Sequence, residues 1–182
     1  VLPTKITAQE IILSETAELS ILTMGPGNDL NDSFGHSAFR VKDTTQNIDV
    51  VYNYGVYDFN TPNFYLKFAQ GKLLYTLGRN NFTPFYNYYS KQNRWIKEQV
   101  LNLNPSEKKD LFNFLQNNFK PENRTYKYDF FFDNCATKIR DVLATVLKGK
   151  ISYQDGFESS SYTFRELIQK NVDWNTWGSF GM

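Results

Sequence analysis

Cysteine and histidine are the scarcest chemically useful residues of this chain, with one of each among 182 residues. A single cysteine excludes an internal disulfide. With only one histidine beside it, no cysteine–histidine cluster can form to bind a metal. The sequence therefore predicts a protein that uses no metal and no other cofactor. Any reaction that needs a thiol or an imidazole must use Cys135 or His36.

Charge of either sign is also limited. Charged residues make up 21% of the chain and sum to a net charge of +1. The chain therefore lacks the basic surface typical of nucleic-acid-binding proteins, and we expect no nucleic-acid partner. No run reaches the roughly 18 consecutive apolar residues of a transmembrane helix. No secretion signal is visible after Val1, which could begin a mature or an engineered chain.

Aromatic residues, in contrast, are abundant, with 16 Phe and 12 Tyr. Such rings fill protein cores, but they also line grooves that bind apolar ligands. Two aromatic runs, residues 82–89 and 130–132, are candidates for the lining of an acyl groove, with core packing as the alternative. No linker rich in Pro, Gly or Ser divides the chain, so we expect one domain over residues 1–182.

The pattern of apolar residues predicts an α+β fold, in which helices are inserted into and appended to a mostly antiparallel sheet. Strands are predicted at 19–24, 34–42, 48–54, 73–77 and 94–103. Helices are predicted at 62–71, 105–118, 134–147 and 163–170, with one or two helical turns at 84–89. The second and third strands are expected to form a hairpin across the polar turn 43–47.

Cys135 stands at the start of the central predicted helix. Apolar residues follow it at helical spacing, and Asp133 and Asn134 are both suitable N-caps. In the first turn, unpaired backbone N–H groups and the helix dipole stabilise a thiolate. The alternative is a structural cysteine, since free cysteine is often buried as a small apolar residue. Cys135 is therefore a candidate nucleophile whose assignment depends on a base elsewhere in the chain.

His36 is the one histidine that could serve as this base, and it stands just after Gly35 near the start of the second predicted strand. Thiol hydrolases commonly combine a cysteine at a helix start with a histidine on a strand. They also need a third group that fixes the tautomer of the imidazole. The sequence alone does not bring His36 and Cys135 together, but it provides both parts of the arrangement.

The third group is expected on the strand that pairs with the histidine strand. Pairing of Asp43 with Asn47 puts Tyr54 opposite His36, whereas a shift of one residue puts Asn53 there instead. Asn53 is the better acceptor for a ring N–H, while Tyr54 could help to bind an oxyanion. Both residues remain candidates at this point.

Other arrangements are weaker. Asp129 and Asp133 are a pair of carboxylates in an aromatic segment, but nothing in the spacing holds them about 5–10 Å apart in a cleft, as glycoside hydrolysis requires. Gly25-x-Gly27 lacks the third glycine and the following helix of a dinucleotide-binding loop, so it is predicted to be a turn.

Short motifs follow one another in a characteristic order along residues 19–145. They are Gly25-Pro-Gly27, Phe34-Gly-His36-Ser-Ala38, Tyr52-Asn-Tyr54-Gly55, Pro62-Asn-Phe64, Leu101-Asn-Leu103, Pro121-Glu-Asn-Arg124, Tyr126-x-Tyr128-Asp-Phe130 and Asp133-Asn-Cys135-x-x-x-Ile-Arg-Asp141. In this order they resemble the Lnb N-terminal periplasmic domain family. That family in turn resembles circularly permuted papain-like and NlpC-type thiol enzymes, in which histidine precedes cysteine along the chain.

The resemblance implies that Cys135 is the nucleophile, that His36 is the base, and that Asn53 or Tyr54 has the third role. It also implies that Asn134 lies beside the substrate. The implied activity is transfer of an acyl chain from a lipid to the N-terminus of a lipoprotein through an acyl-enzyme. The implied location is the periplasm or cell envelope, close to a membrane.

The same resemblance suggests a permuted papain-like domain that is the excised or soluble N-terminal part of a longer membrane protein. Two other functions remain open. One is a cell-wall peptide amidase or peptidase of the NlpC type. The other is a binding module without catalysis, in which the cysteine and the histidine lie apart.

Overall fold

Six strands and five helices form the fold in the computed structural model, which describes residues 11–29, 32–152 and 162–172. The strands are β1 (Glu18–Met24), β2 (His36–Asp43), β3 (Ile48–Val56), β4 (Leu74–Asn81), β5 (Ile96–Val100) and β6 (Thr125–Lys127). The helices are α1 (Phe64–Ala69), α2 (Phe82–Lys91), α3 (Pro105–Phe119), α4 (Cys135–Leu147) and α5 (Phe164–Gln169). The predicted α+β class is confirmed.

The strands form one antiparallel sheet in the order β5-β1-β2-β3-β4-β6. Because β2 and β3 occupy the middle of the sheet, residues on them are flanked by strands on both sides. None of the helices in the described ranges is long and apolar enough to cross a membrane.

The predicted hairpin of β2 and β3 is confirmed, but both registers considered for it are wrong. Asp43 pairs with Ile48. Residues 44–47 form the turn between them, and the Asp43 carboxylate accepts hydrogen bonds from the backbone N–H groups of Thr45 and Gln46 at 3.0 and 3.2 Å. These hydrogen bonds stabilise a four-residue turn after Asp43. Both predicted registers instead closed the hairpin at Asn47, one residue before the observed partner Ile48.

The observed register changes which residue faces the histidine. The ladder between β2 and β3 is regular as far as the pair Phe39–Tyr52, and its continuation puts Gly55 opposite His36. A Cβ atom built on Gly55 would lie 3.8 Å from Cε1 of the histidine ring. The imidazole therefore lies on the side of Gly55 where a side chain would project, and neither predicted residue is directly across from it.

Helices cover both faces of the sheet, and the alternation of side chains along β2 and β3 fills two cores. The larger core lies under α3 and α4 and includes Phe39, Val41, Tyr52, Tyr54, Phe112 and Leu143. The smaller core lies under α2 and includes Leu22, Met24, Ala38, Val51, Phe85 and Tyr89. The sheet thus separates an α3–α4 face from an α2 face.

Most predicted elements are present, and the differences have local causes. The predicted helix at 62–71 begins at Phe64 instead of Pro62, because Asn63 has a left-handed φ of 58° and cannot belong to the helix. Leu66 and Phe68 of this helix are half-exposed. The aromatic segment around 84–89 is a full helix of ten residues, α2, and β6 was not predicted.

Candidate active site

Asn134 fixes the start of α4 and thereby the position of Cys135. Its side-chain oxygen accepts hydrogen bonds from the backbone N–H groups of Ala136 and Thr137 at 2.9 and 3.0 Å. Thr137 completes the capping box by accepting a hydrogen bond from the backbone N–H of Asn134 at 2.8 Å. Of the two predicted N-caps, Asn134 is therefore the one that is used. The cap holds the cysteine in the first turn of the helix.

The side-chain nitrogen of Asn134 also donates to the backbone carbonyl of Phe130 at 2.8 Å. Its oxygen and its nitrogen are thus both bonded to the backbone around Cys135. These bonds indicate that Asn134 has a structural role here, and its predicted contact with substrate stays a prediction.

Gly35 sets the direction in which the chain enters β2 and so places His36. Its φ is +70°, a conformation that other residues rarely adopt. A Cβ atom at this position would lie 2.7 Å from the carbonyl oxygen of Met24, which is too close for any side chain. Glycine is therefore required immediately before the histidine.

The structure brings Cys135, His36 and Asn53 together. The His36 imidazole and the Cys135 thiol are close enough for each to shift the pKa of the other, and Nε2 of His36 is hydrogen-bonded to Oδ1 of Asn53. Since an amide oxygen can only accept, Nε2 carries the proton in this contact. Nδ1 is therefore the ring nitrogen whose lone pair is available to the thiol. The result is a relay from Cys135 through His36 to Asn53.

Burial and hydrogen bonds have opposite effects on the ionisation of this pair. Burial raises the pKa of the Cys135 thiol, but His36 and the backbone N–H groups of Ser37 and Ala136 lower it, and the net pKa is below that of an ordinary thiol. Burial lowers the pKa of His36, but Cys135 and Asn53 raise it, and the net pKa is above its ordinary value. Both shifts favour a thiolate–imidazolium pair.

Tyr54, the other candidate for the third group, faces the α3–α4 core. It is buried, and its hydroxyl donates to the side-chain oxygen of Asn118 at 2.6 Å. Burial raises the pKa of this hydroxyl further above its ordinary value. Asn53 and Tyr54 are neighbours on β3 and point to opposite faces of the sheet. The structure therefore puts Asn53, and not Tyr54, in hydrogen-bonding contact with His36.

Two residues near His36 were not found from the sequence. Tyr89 of α2 lies with its ring parallel to the histidine ring, at a centroid distance of 6.5 Å and an interplanar angle of 11°. Arg94 follows α2 and places its guanidinium over the Tyr89 ring at 4.7 Å. The spacing of Phe85 and Tyr89 on one helical face was a usable signal for Tyr89. The contacts of Arg94 are made through space and have no counterpart in local sequence.

The pair of carboxylates considered from the sequence has structural contacts. The backbones of Asp129 and Asp133 bond to each other, and the Asp129 carboxylate accepts from the backbone N–H groups of Phe131 and Phe132. Asp133 forms an ion pair with Lys138 at 2.7 Å. Among the described residues there is no group of three or more His, Cys, Asp or Glu side chains that could hold a metal ion.

The aromatic segment before Cys135 is partly open to solvent. Asp129 holds Phe131 and Phe132 in a turn, and the exposed fraction of Phe132 is 67%. Phe164 of α5 packs on Phe131 with ring centroids 4.5 Å apart and is itself 55% exposed. Phe130 packs instead against Phe34 at 4.8 Å, just ahead of the histidine strand. Apolar surface therefore lies next to the loop that leads into the cysteine.

Comparison with known protein families gave one match. The profile of the Lnb N-terminal periplasmic domain matches residues 6–170. Searches of curated proteins and of solved structures found no match. The family match covers nearly the whole chain, and it identifies the chain as a periplasmic domain.

Proposed function

The chain belongs to the Lnb N-terminal periplasmic domain family, and from this premise we propose that it is a cysteine-dependent acyltransferase of the cell envelope. It moves an acyl chain from a lipid to the amino group at the N-terminus of a lipoprotein. The observation that carries the proposal is the relay of Cys135, His36 and Asn53. A nucleophile, a base and a group that orients the base are the minimum set for covalent acyl transfer.

The first half-reaction forms an acyl-enzyme. The Cys135 thiolate attacks the carbonyl carbon of the lipid ester, a carbon–sulfur bond forms, and the carbonyl oxygen becomes an oxyanion. The Asn134 cap occupies the N–H groups of Ala136 and Thr137, so the backbone N–H of Cys135 and the dipole of α4 are the groups suited to stabilise this oxyanion. The carbon–oxygen bond of the ester then breaks, and the leaving alkoxide takes the proton of the His36 imidazolium.

The second half-reaction transfers the acyl group to an amine. The amine nitrogen attacks the thioester carbon while neutral His36 removes its proton. The carbon–sulfur bond breaks, an amide is formed, and the thiolate–imidazolium pair is restored. Asn53 takes part by keeping one ring nitrogen protonated throughout, so that the other nitrogen always faces the sulfur.

A lipid donor is favoured by the surroundings of Cys135. Phe131 and Phe132 precede it by a few residues, and Phe164 extends the same apolar surface. Contact between exposed aromatic rings and an acyl chain is favourable, because it removes apolar surface from water. A polar groove would have favoured the stem peptide of a cell wall, which is the substrate of the alternative amidase or peptidase function.

The domain architecture belongs to the same proposal. The histidine lies on a central strand, the cysteine starts a helix that packs on the sheet, and the histidine comes first along the chain. This arrangement supports a permuted papain-like relationship. On this proposal the domain works close to a membrane, where its lipid donor and its lipoprotein acceptor are found.

The decisive experiment is detection of the acyl-enzyme. The protein is incubated with phospholipid vesicles in the absence of an amine acceptor, and its intact mass is measured. The expected result is a gain of one acyl chain that neutral hydroxylamine removes, as it does for a thioester. Cys135→Ser and His36→Ala are expected to show no such adduct.

The other outcomes identify the alternatives. Cleavage of a purified cell-wall stem peptide without any lipid adduct would indicate the amidase or peptidase function. If a folded protein shows neither reaction, the domain is a binding module without catalysis. An adduct that persists in Cys135→Ser at the same level and with the same hydroxylamine sensitivity would contradict the role of Cys135.

A further inference from the structure

Arg94 is a buried arginine that contacts the loop leading to His36. It is 6% exposed, and its Nε donates to the backbone carbonyl of Gly25 at 2.8 Å. Its Nη1 forms an ion pair with the Asp32 carboxylate at 3.1 Å. Gly25 follows β1 directly, and Asp32 lies near the other end of the same loop. One guanidinium group thus connects the two ends of the connection between β1 and β2.

Asp32 transmits this contact to the start of β2. Its backbone carbonyl accepts hydrogen bonds from the backbone N–H groups of Gly27 at 2.9 Å and Gly35 at 3.0 Å. Gly35 is the residue with a φ of +70° that directs His36 into the sheet. Two linked contacts therefore join Arg94 to Gly35, the residue bonded directly to His36.

Arg94 also contacts the ring that lies beside the imidazole. Its guanidinium carbon is 4.7 Å from the centroid of the Tyr89 ring, within the range of a cation–π interaction. The backbone N–H of Arg94 donates to the carbonyl of Tyr89 at 3.1 Å, which fixes the end of α2. The Tyr89 ring is parallel to that of His36. A second route thus joins Arg94 to the histidine, through α2 instead of the loop.

We propose that Arg94 is a positioning residue that holds His36 in register with Cys135 by securing both the loop before β2 and the Tyr89 ring. The inference rests on the proposed function, since it needs the Cys135–His36 pair to be the reactive one. Arg94 itself touches neither the sulfur nor the substrate. Its effect on Cys135 passes through His36.

The groups facing the imidazole explain why its position matters. Cys135 faces it from α4, Asn53 from β3, Tyr89 from α2, and Arg94, paired with Asp32, adds a positive charge nearby. The hydrogen bond and the charge of His36 are the main influences that oppose burial and lower the pKa of Cys135. A displaced imidazole therefore allows the pKa of the thiol to rise towards its ordinary value.

The test is the pH profile of Cys135 alkylation by iodoacetamide in Arg94→Lys. Lysine keeps the positive charge but has no planar fork, so it cannot reproduce the contacts with Gly25, Asp32 and Tyr89 together. We expect the inflection of the alkylation rate to move about one pH unit upwards, which gives about a tenfold slower reaction below the inflection. An unchanged profile in the folded variant would overturn the proposal.

A double-mutant cycle separates positioning from a general loss of structure. In the His36→Ala background, Arg94→Lys is expected to cause no further change in the alkylation rate, because the route through His36 is already removed. An equal effect of Arg94→Lys in both backgrounds would overturn the proposal, since Arg94 would then act on Cys135 without the histidine.

Arg40→Lys is the matched control. Arg40 lies on the same α2 face of the sheet, is 9% exposed, pairs with Asp49 at 2.8 Å and packs on the Phe82 ring at 3.4 Å. It resembles Arg94 in burial, ion pairing and ring contact, but among the described residues its side-chain contacts are with Asp49, Glu98 and Phe82 and not with the loop before His36. Its replacement is expected to lower stability and to leave the alkylation profile in place. A shift as large as that of Arg94→Lys would overturn the proposal.

Asp32→Asn provides a second variant if Arg94→Lys does not fold. It removes only the ion pair with Arg94 and keeps the backbone bonds of Asp32. The inflection of the alkylation profile is expected to move upwards by less than in Arg94→Lys, and not to move in the His36→Ala background. An unchanged inflection in a folded Asp32→Asn protein would overturn the proposal. Failure of the proposed function has a different signature. In that case no acyl-enzyme forms with phospholipid vesicles, whereas the effect of Arg94→Lys on the alkylation of Cys135 can still be present.

Discussion

Replacement of Asn53 by alanine tests the hydrogen bond that orients His36. In the native structure, Oδ1 of Asn53 accepts a hydrogen bond from Nε2 of His36 on the α2 face of the sheet. Alanine removes this acceptor and leaves a partly buried ring N–H without its partner. The ring also lies parallel to that of Tyr89, which provides no acceptor in the plane of the imidazole.

The expected change in the alkylation rate of Asn53→Ala follows from the positive charge of the His36 imidazolium. Burial lowers the pKa of His36, and the bonds to Cys135 and Asn53 raise it above its ordinary value. Loss of the Asn53 bond therefore lowers the pKa of His36 and weakens the thiolate–imidazolium pair. A hydrogen bond to a charged group is worth about 1.5–3 kcal/mol. Because about 1.4 kcal/mol corresponds to a factor of ten, alkylation of Cys135 near neutral pH should slow about 10- to 100-fold.

The assay compares iodoacetamide alkylation of Asn53→Ala with that of Tyr54→Phe. Tyr54→Phe removes a hydroxyl from the neighbouring residue of β3, but this hydroxyl bonds to Asn118 in the opposite core. It should lower stability by about 1 kcal/mol and leave the alkylation rate unchanged. Slower alkylation of Cys135 in Tyr54→Phe, together with an unchanged alkylation rate in Asn53→Ala, would refute the assignment of Asn53 as the third group.

Three further predictions concern the elements that hold the site. Gly35→Ala should cost at least about 1 kcal/mol of stability in urea unfolding and also slow Cys135 alkylation, because a Cβ meets the Met24 carbonyl at 2.7 Å. Asn134→Ala should lower stability by about 1 kcal/mol through loss of the cap, as measured by thermal unfolding. Burial raises the pKa of Asp43, but hydrogen bonds from Ser14 and the turn lower it, and the net pKa is below that of an ordinary Asp carboxyl. Its contribution to stability is therefore lost as pH falls through that lowered pKa. Asp43→Asn should therefore show a flatter loss of stability below about pH 4, and an equally steep acid limb would contradict this cause.

The parts of the fold that could be predicted from sequence are those whose signal is local. The helix from Cys135 to Leu147 was predicted because its apolar residues keep one helical face and its cap precedes it directly. The hairpin of β2 and β3 was predicted because two alternating segments flank a polar turn. β6 was not predicted because a strand of three residues is too short to show an alternating pattern of apolar and polar residues.

The parts of the site that could not be predicted depend on register and on contacts through space. Asp43 accepts hydrogen bonds from the turn, so the register of β2 and β3 differs from both predicted registers. As a result Gly55, instead of Asn53 or Tyr54, comes opposite His36. Asn53 still reaches the ring from a diagonal position on the same face of the sheet. Arg94 is brought to the histidine loop only by tertiary folding, and no spacing along the chain encodes that contact.

The central claim is that His36 holds Cys135 as a reactive thiolate at neutral pH, and one comparison tests it most directly. The alkylation rate of Cys135 with iodoacetamide is measured in the folded protein, in His36→Ala, and in the same chain unfolded in urea, where the thiol has its ordinary pKa. The structure predicts that the folded protein reacts fastest and that His36→Ala loses this advantage. Alkylation of the folded protein at or below the rate of the unfolded chain, with no effect of His36→Ala, would contradict the claim.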